Sequence, residues 1–473
     1  MLGDIDPLAP GRGVAQSGGR RAKWLIGLMG AGTLAPWNAW LLAYGYFDAV
    51  FGEDYQIAYW FTVCYFAPTA LTILLMLRRT PLSRISVRAR IVFAYITNTL
   101  VLLVPVVLVL LGTFDPEPRG GTPPDAFPCM IVVVVLSGMT TGILYGSLFS
   151  YITILPPSYT QACMSGIAAS GMVLGCIWLL VRAVFGSEVR AVYDENSAEE
   201  SAQHAEVITF FVLASATSAA CLVAFTLFRK SELLSYYRDR QSRVPNARHS
   251  LQAHIVETTG SQSDTWGITD GVSLNRNSQV FGAATSDKAL ITSMKYHAFS
   301  VFLNFFVTTL VFPGLVTSQF HVARRGDLDG NFAEPLLIFA FLLFDFVGRQ
   351  LPVLGSPGRF VAGEGWLVGF VLLRMGFVPL YAVVAHTATS AHDLPEFIVM
   401  IPFAFSHGYC STVCMMEAPR AAGGTTDEAA RQRASVIMAA LTNAGICIGA
   451  LVAFAWLAWG FPDDGSDAGL QPS

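Results

Sequence analysis

Long apolar runs recur along this chain and limit what it can fold into. Eleven such stretches begin near Trp24, Ile57, Ile91, Pro128, Tyr159, Val207, Tyr296, Phe332, Trp366, Pro395 and Ala434. Each approaches the roughly 17–25 residues that a helix needs to cross a bilayer. In hydrocarbon every backbone polar group must find its partner within the segment, so runs of this kind fold as helices. Only 13% of the 473 residues are charged, against about 25% in soluble domains. The sequence therefore predicts an all-α polytopic membrane protein, and eleven spans exclude a seven-helix receptor.

The loops orient these spans. With Met1 in the cytosol, the inside segments hold Arg12, Arg20, Arg21, Lys23, the cluster from Arg78 to Arg90, nine Lys and Arg from Arg229 to Lys295, Arg359, Arg420, Arg431 and Arg433. The outside segments hold only Arg119, Arg190, Arg324 and Arg325, while Glu188, Asp194, Glu195, Glu199, Glu200 and Glu206 crowd one outside loop. Such asymmetry follows the positive-inside rule. It predicts a cytoplasmic N-terminus, an extracellular C-terminus and a multi-pass protein of the plasma membrane.

The expected organisation follows. Residues 1–23 form a cytoplasmic segment, 24–228 an N-terminal bundle of six spans, and 229–295 a largely disordered cytoplasmic linker. Residues 296–460 form a C-terminal bundle of five spans, and 461–473 an extracellular tail. Two bundles around a linker predict a substrate site between the halves near mid-membrane. The start of the linker, "RKSELLSYYRDRQSR", can form a short helix on the inner leaflet or remain a solvated loop.

Several function classes are absent from the pattern. The basic residues build no stripe, so no nucleic-acid partner is expected. The eight cysteines lie in or beside apolar runs and read as small buried apolar residues. No Cys/His spacing suits zinc, so no metal and no cofactor is expected. H-E-x-x-H and G-x-S-x-G are missing and no acid/base dyad stands out, so the chain does not read as an enzyme and no catalytic residue is assigned. No obligate protein partner is evident.

Polar residues inside the spans carry the functional signal. In "FAFLLFDFVGRQLPVLG", Asp345 and Arg349 sit four residues apart on one helix face. A charge at mid-bilayer costs roughly 2.5–3.5 kcal/mol on insertion scales. A paired acid and base form a net-neutral, charge-assisted unit that either pins helices or holds a ligand with adjacent hydroxyls. In "GLMGAGTLAPWNAWLLAYGYF", Gly27, Gly30 and Gly32 permit close helix contact. Pro36 frees a backbone carbonyl, and Trp37 with Asn38 offers a stacking wall for a planar ligand. Gly142 and Gly146 form a G-x-x-x-G seam in the fourth span. Tyr145 beside them can give its hydroxyl to a ligand or to another helix. Asn304 and Thr308 share a face of the seventh span. Arg374 lies deep in the ninth. His407, with Ser411 on its face, serves a proton, a ligand or the bundle. Glu417 and Arg420 form a gate or a helix-end cap.

These residues resemble the equilibrative nucleoside transporter family. "GTLAPWNAW" is similar to the family's first-span signature, and "GSLFSYITILPPSYTQACMSG" to its fourth-to-fifth span region. "FDFVGRQL" carries D-x-x-G-R in the eighth span. "RMGFVP" and "SHGYCSTVCMMEAPR" are similar to the ninth- and tenth-span patterns. The resemblance implies a fold related to the major facilitator bundles and facilitative transport by alternating access. It implies a nucleoside substrate such as adenosine or inosine, with nucleobases a further class. It implies that Trp37, Leu34 and Leu41 wall the base pocket and that Asp345 and Arg349 recognise the ribose. The chain departs from the family at four positions. Many members carry Gln where this chain has Tyr145 and Ile167, and Asn where it has Leu342 and His407. Each lost amide removes both donors and an acceptor. The alternative reading is proton-coupled symport, with Asp345, His407 or Glu417 as the carrier.

Overall fold

The structure is a computed structural model that describes residues 12–52, 56–78, 80–114, 126–189, 195–237, 287–312, 330–354, 364–387, 394–423 and 428–460. Among the described residues there is no strand. The helices are α1 (Arg12–Leu42), α2 (Tyr44–Phe51), α3 (Ile57–Leu77), α4 (Pro81–Arg84), α5 (Val87–Leu110), α6 (Ala126–Ile152), α7 (Pro157–Val189) and α8 (Glu195–Arg229). They continue with α9 (232–237), α10 (Asp287–Ser293), α11 (Lys295–Val311), α12 (Gly330–Leu354), α13 (Glu364–Arg374), α14 (Phe377–Thr387), α15 (Leu394–Gly423) and α16 (Glu428–Gly460).

Among the described residues, ten helical spans are long and apolar enough to cross a membrane. The expected span from Tyr296 falls on α11, which is 17 residues long as described, about 25 Å at 1.5 Å per residue. The span expected from Trp366 is two pieces, α13 and α14, separated by Met375 and Gly376. The break has a local cause. Pro379 has no N–H to give the carbonyl of Met375, and its ring crowds that turn. Arg374 therefore ends a helix inside the protein, beside the negative end of its dipole.

The chain is sorted for lipid. Leu100, Leu110, Leu180 and Leu373 are exposed, while Asn98, Asn304, Ser137 and Ser411 are fully buried. Lipid tails are as apolar as leucine, so helices associate through close packing and interhelical hydrogen bonds. The buried bonds include Tyr95 to the Met29 carbonyl at 2.6 Å, Tyr65 with Thr141 at 2.7 Å and Trp40 to Ser137 at 3.2 Å. Two seams need glycine. A side chain at Gly30 would overlap the Cys163 carbonyl, and one at Gly166 the Gly27 carbonyl, so α1 and α7 touch backbone to backbone. Along α6, a Cβ at Gly142 would lie 2.7 Å from the Thr69 oxygen, and one at Gly146 would lie 3.3 Å from Met76.

Helices α1 and α3 to α8 form one half of the molecule, α11 to α16 the other. Two contacts join them: α7 lies against α12 and α15, and α3 with α6 lies against α16. At the basic end, near Arg78, Arg84 and Arg433, the contact is polar. Thr153 and Ser435 share a 2.7 Å hydrogen bond, Gln161 donates to the Arg349 carbonyl at 3.4 Å, and Ser165 to Gln350 at 3.3 Å. At the other end it is apolar. Tyr59 packs with Leu310 and Ala453 and its ring lies 5.7 Å from that of Phe454.

The linker is met only at its edges, and the reading of the cysteines needs adjustment. The 229–295 linker is helical at both edges, over 232–237 and Asp287–Ser293, and Asp287 pairs with Arg433. The rest of it, 238–286, lies outside the described residues, as do 1–11 and 461–473. The cysteines are not uniformly buried: Cys163, Cys221, Cys410 and Cys414 are, but Cys129 and Cys176 are exposed on outer helix faces. Apolar surroundings in lipid do not separate an inward thiol from an outward one.

Candidate functional site

Between the halves lies a cavity of about 910 Å³, counted out to its mouth. Helix α1 contributes Leu34, Trp37, Asn38 and Leu41, a spacing of i, i+3, i+4, i+7 that puts all four on one face. Opposite, α11 repeats the spacing with Phe305, Thr308, Thr309 and, just beyond its end, Phe312. The remaining wall comes from Phe66, Thr141, Tyr145, Ile167, Ala168 and Gly171 on one side. On the other it comes from Phe341, Leu342, Asp345, Arg349, His407, Thr442, Asn443 and Ile446.

Trp37 sits in an aromatic nest, its ring 4.5 Å from that of Phe66, 5.2 Å from Tyr65 and 6.2 Å from Tyr44. Helix α1 runs through Pro36 without ending. Asn38 donates its amide nitrogen to Ser170 at 3.0 Å, so its carbonyl oxygen is the part left for a ligand. Asn443 is spent in the same way, on the Ala439 carbonyl at 2.8 Å. The Thr442 hydroxyl is buried without a partner among the described residues.

Asp345 and Arg349 are 5% and 3% exposed. Arg349 Nε reaches both Asp345 oxygens at 3.1 and 3.0 Å, and Nη2 reaches Oδ2 at 3.0 Å. Nη1 stays free of the carboxylate. Glycines press this helix onto α15. A side chain at Gly348 would overlap the Phe405 carbonyl, and one at Gly408 the Asp345 carbonyl. The glycine inside D-x-x-G-R thus seats the ion pair against the helix that carries His407.

Asn304 does not line the cavity as expected of a binding residue. It is fully buried one layer back, where its amide is taken up by Arg374 and His407. Arg374 is 1% exposed and, among the described residues, meets no carboxylate oxygen within ion-pair reach. It donates to Asn304 at 2.8 Å and to Thr308 at 3.0 Å, and stands over the Phe403 ring at 5.2 Å. Glu417 and Arg420 pair at 3.1 Å within one turn of α15, which is the helix-end arrangement, and that ion pair joins no second helix. Tyr145 lines the cavity and packs on Phe149 at 4.7 Å. Among the described residues its hydroxyl has no protein partner.

The four positions of departure, Tyr145, Ile167, Leu342 and His407, all line this one cavity. Sequence reasoning missed Thr309, Thr442 and Asn443. The signal was present in "LTNAG", a polar pair inside an apolar run, but nothing there says which face turns inward.

The profile of the family described as "Nucleoside transporter" matches residues 130–458, more than half of the chain. The chain belongs to this family. It is similar to the "Equilibrative nucleoside transporter 1" of Homo sapiens, 27% identical over 92% of this chain and 96% of that protein. It is also similar to the "Equilibrative nucleotide transporter 1" of Arabidopsis thaliana, 23% identical over 91% and 84%. In structure this nucleoside transporter resembles the proton:xylose symporter XylE of the major facilitator superfamily, with a TM-score of 0.52 and 13% identity over 93% and 88% of the two chains. That likeness gives the fold: two helical halves around a central cavity. The protein is a multi-pass membrane transporter and not an enzyme.

Proposed function

We propose that this nucleoside transporter carries nucleosides such as adenosine and inosine down their gradient by alternating access, with no coupled ion. One observation carries the reading. A buried carboxylate–guanidinium pair, Asp345 and Arg349, and a deep indole, Trp37, line one cavity between two halves that touch at both ends. Adjacent ribose hydroxyls are both donors and acceptors and match the free donors and lone pairs of the pair. A planar base matches the Trp37 face. Entry from either side requires breaking one contact between the halves: the Thr153–Ser435 end or the Tyr59–Phe454 end. The charge asymmetry of the loops supports a cytoplasmic N-terminus and a C-terminus on the opposite side, and the family resemblance supports the plasma membrane.

The test is uptake of labelled adenosine, inosine, uridine and hypoxanthine into proteoliposomes of the purified protein. Saturable uptake that stops at equal inside and outside concentrations, with no current, is expected. Accumulation driven by a pH step, or a substrate-evoked current, would overturn the uncoupled mechanism. Normal uptake by both Asp345→Ala and Arg349→Ala would remove the pair from the binding role.

A further inference from the structure

From Arg374 and Asn304 behind the cavity wall to Thr308 and His407 in it runs a chain of hydrogen bonds whose direction is read from one end. A guanidinium only donates. The atom of Asn304 that faces Arg374 Nη1 at 2.8 Å must therefore be the carbonyl oxygen Oδ1. The amide nitrogen then faces the other way. It lies 3.1 Å from His407 Nδ1 and 3.4 Å from the His407 carbonyl. An amide nitrogen also only donates, so Nδ1 must accept and carries no proton. Thr308 suits either state of Nδ1. Its oxygen accepts from Arg374 at 3.0 Å, and its one proton goes either to the Asn304 backbone carbonyl at 2.8 Å or to Nδ1 at 2.8 Å. The Asn304 amide decides between them. A proton on Nδ1 would face the amide group, its nitrogen 3.1 Å away, and take the acceptor from one of its hydrogens.

A neutral imidazole with a bare Nδ1 carries its proton on Nε2. His407 lines the cavity, and among the described residues no protein group takes a hydrogen bond at Nε2. Phe305, at 4.7 Å and nearly perpendicular, and Phe341, at 5.9 Å, hold the ring in place. We infer that His407 is a specificity-determining residue, locked by Arg374 through the Asn304 amide as a one-way hydrogen-bond donor to an acceptor atom of the nucleobase. The inference rests on the central cavity being the nucleoside site. It gives a role to a buried arginine that has no carboxylate partner among the described residues, and it removes His407 from the set of proton carriers. Ribose hydroxyls donate as well as accept, so a one-way donor does not tell them apart. It discriminates where the ligand atom is a ring nitrogen or a carbonyl oxygen.

The experiment has two arms on the purified full-length protein in lipid. The first needs no substrate. Histidine labelled with nitrogen-15 is observed at neutral pH, and the His407 signals are identified by their loss in His407→Gln. The expected spectrum has a bare Nδ1 and a protonated Nε2, exchanged for a protonated Nδ1 in Asn304→Asp, whose carboxylate accepts from that atom. A protonated Nδ1 in the unsubstituted protein overturns the lock. The second arm measures inhibition of nucleoside uptake by 1-deaza-, 3-deaza- and 7-deazaadenosine against adenosine. Each removes one ring acceptor. At least one pair should differ about tenfold or more, the usual penalty for leaving a buried donor unpaired. That difference should fall to about twofold in His407→Phe and in Asn304→Asp, and return in part in His407→Gln. Unchanged discrimination in His407→Phe, or discrimination confined to 2′- and 3′-deoxy analogues, overturns the donor role. Absence of any saturable nucleoside uptake defeats the functional reading instead, and the spectrum still decides the lock.

Discussion

Both sides of the cavity carry apolar surface, Leu34, Trp37, Leu41, Phe66 and Ile167 on the α1–α8 side and Phe305, Phe312, Phe341, Leu342 and Ile446 on the other. The α1–α8 side adds only the neutral polar groups of Asn38, Thr141 and Tyr145, whereas the α11–α16 side adds the charged pair Asp345 and Arg349 with His407 and three threonines. The apolar surface binds by area, at roughly 25 cal/mol per Å² removed from water, with little regard for direction. The second, polar wall also binds by geometry, since charge-assisted hydrogen bonds contribute about 1.5–3 kcal/mol each and weaken steeply when misaligned. A ligand with a flat apolar face and a polar rim fits between the two walls in one orientation only. Two helical halves of similar architecture thus share the apolar contact, and the half that holds the charged pair sets the register.

The comparison breaks first at the ion pair. Arg349→Ala leaves the Asp345 carboxylate buried and uncompensated, an arrangement that costs about 3–5 kcal/mol. Uptake should fall at least about a hundredfold, with a clear drop in melting temperature in detergent. The double substitution Asp345→Leu with Arg349→Leu should recover the melting temperature and not the uptake. Recovery of both would make the pair a helix fastener and the polar wall incidental. Trp37→Ala comes next. Loss of its stacking face should raise KM about tenfold for every nucleoside, with the ratio between ribo- and deoxyribonucleosides unchanged. A change in that ratio would show that the apolar wall also sets register.

Thr153→Val removes one side of the hydrogen bond that ties the halves at the basic end, a change of about 1 kcal/mol. Uptake should shift by a few-fold, with exchange and net flux affected differently. Equal effects on both would place the contact outside the transport cycle. Tyr145→Phe should have the smallest effect, within about twofold, if the hydroxyl stays unused in the bound state as it is here. A tenfold loss would move Tyr145 to the polar wall.

The architecture was legible because apolar length and loop charge are read directly by a bilayer. The α1 face of Leu34, Trp37, Asn38 and Leu41 was legible through its helical spacing, and Asp345 with Arg349 through the cost of burying charge. Thr442 and Asn443 were not legible. In lipid both faces of a helix are apolar, so hydropathy does not mark the inward one; the same ambiguity misplaced Cys129 and Cys176. Asn304 was recognised as polar, but its layer was not. Its place depends on the break between α13 and α14, which delivers Arg374 from another helix to within 2.8 Å.

The unlike contacts at the two ends have a thermal consequence. Parting Thr153 from Ser435 exchanges one hydrogen bond for bonds to water and changes heat capacity little. Parting Tyr59 from Leu310, Ala453 and Phe454 hydrates apolar surface, which raises heat capacity and becomes easier as water cools. The two open forms therefore have different temperature coefficients, and cooling favours the form opened at the Tyr59 end. Temperature alone, with no ligand and no voltage, sets which side of this carrier waits empty and open.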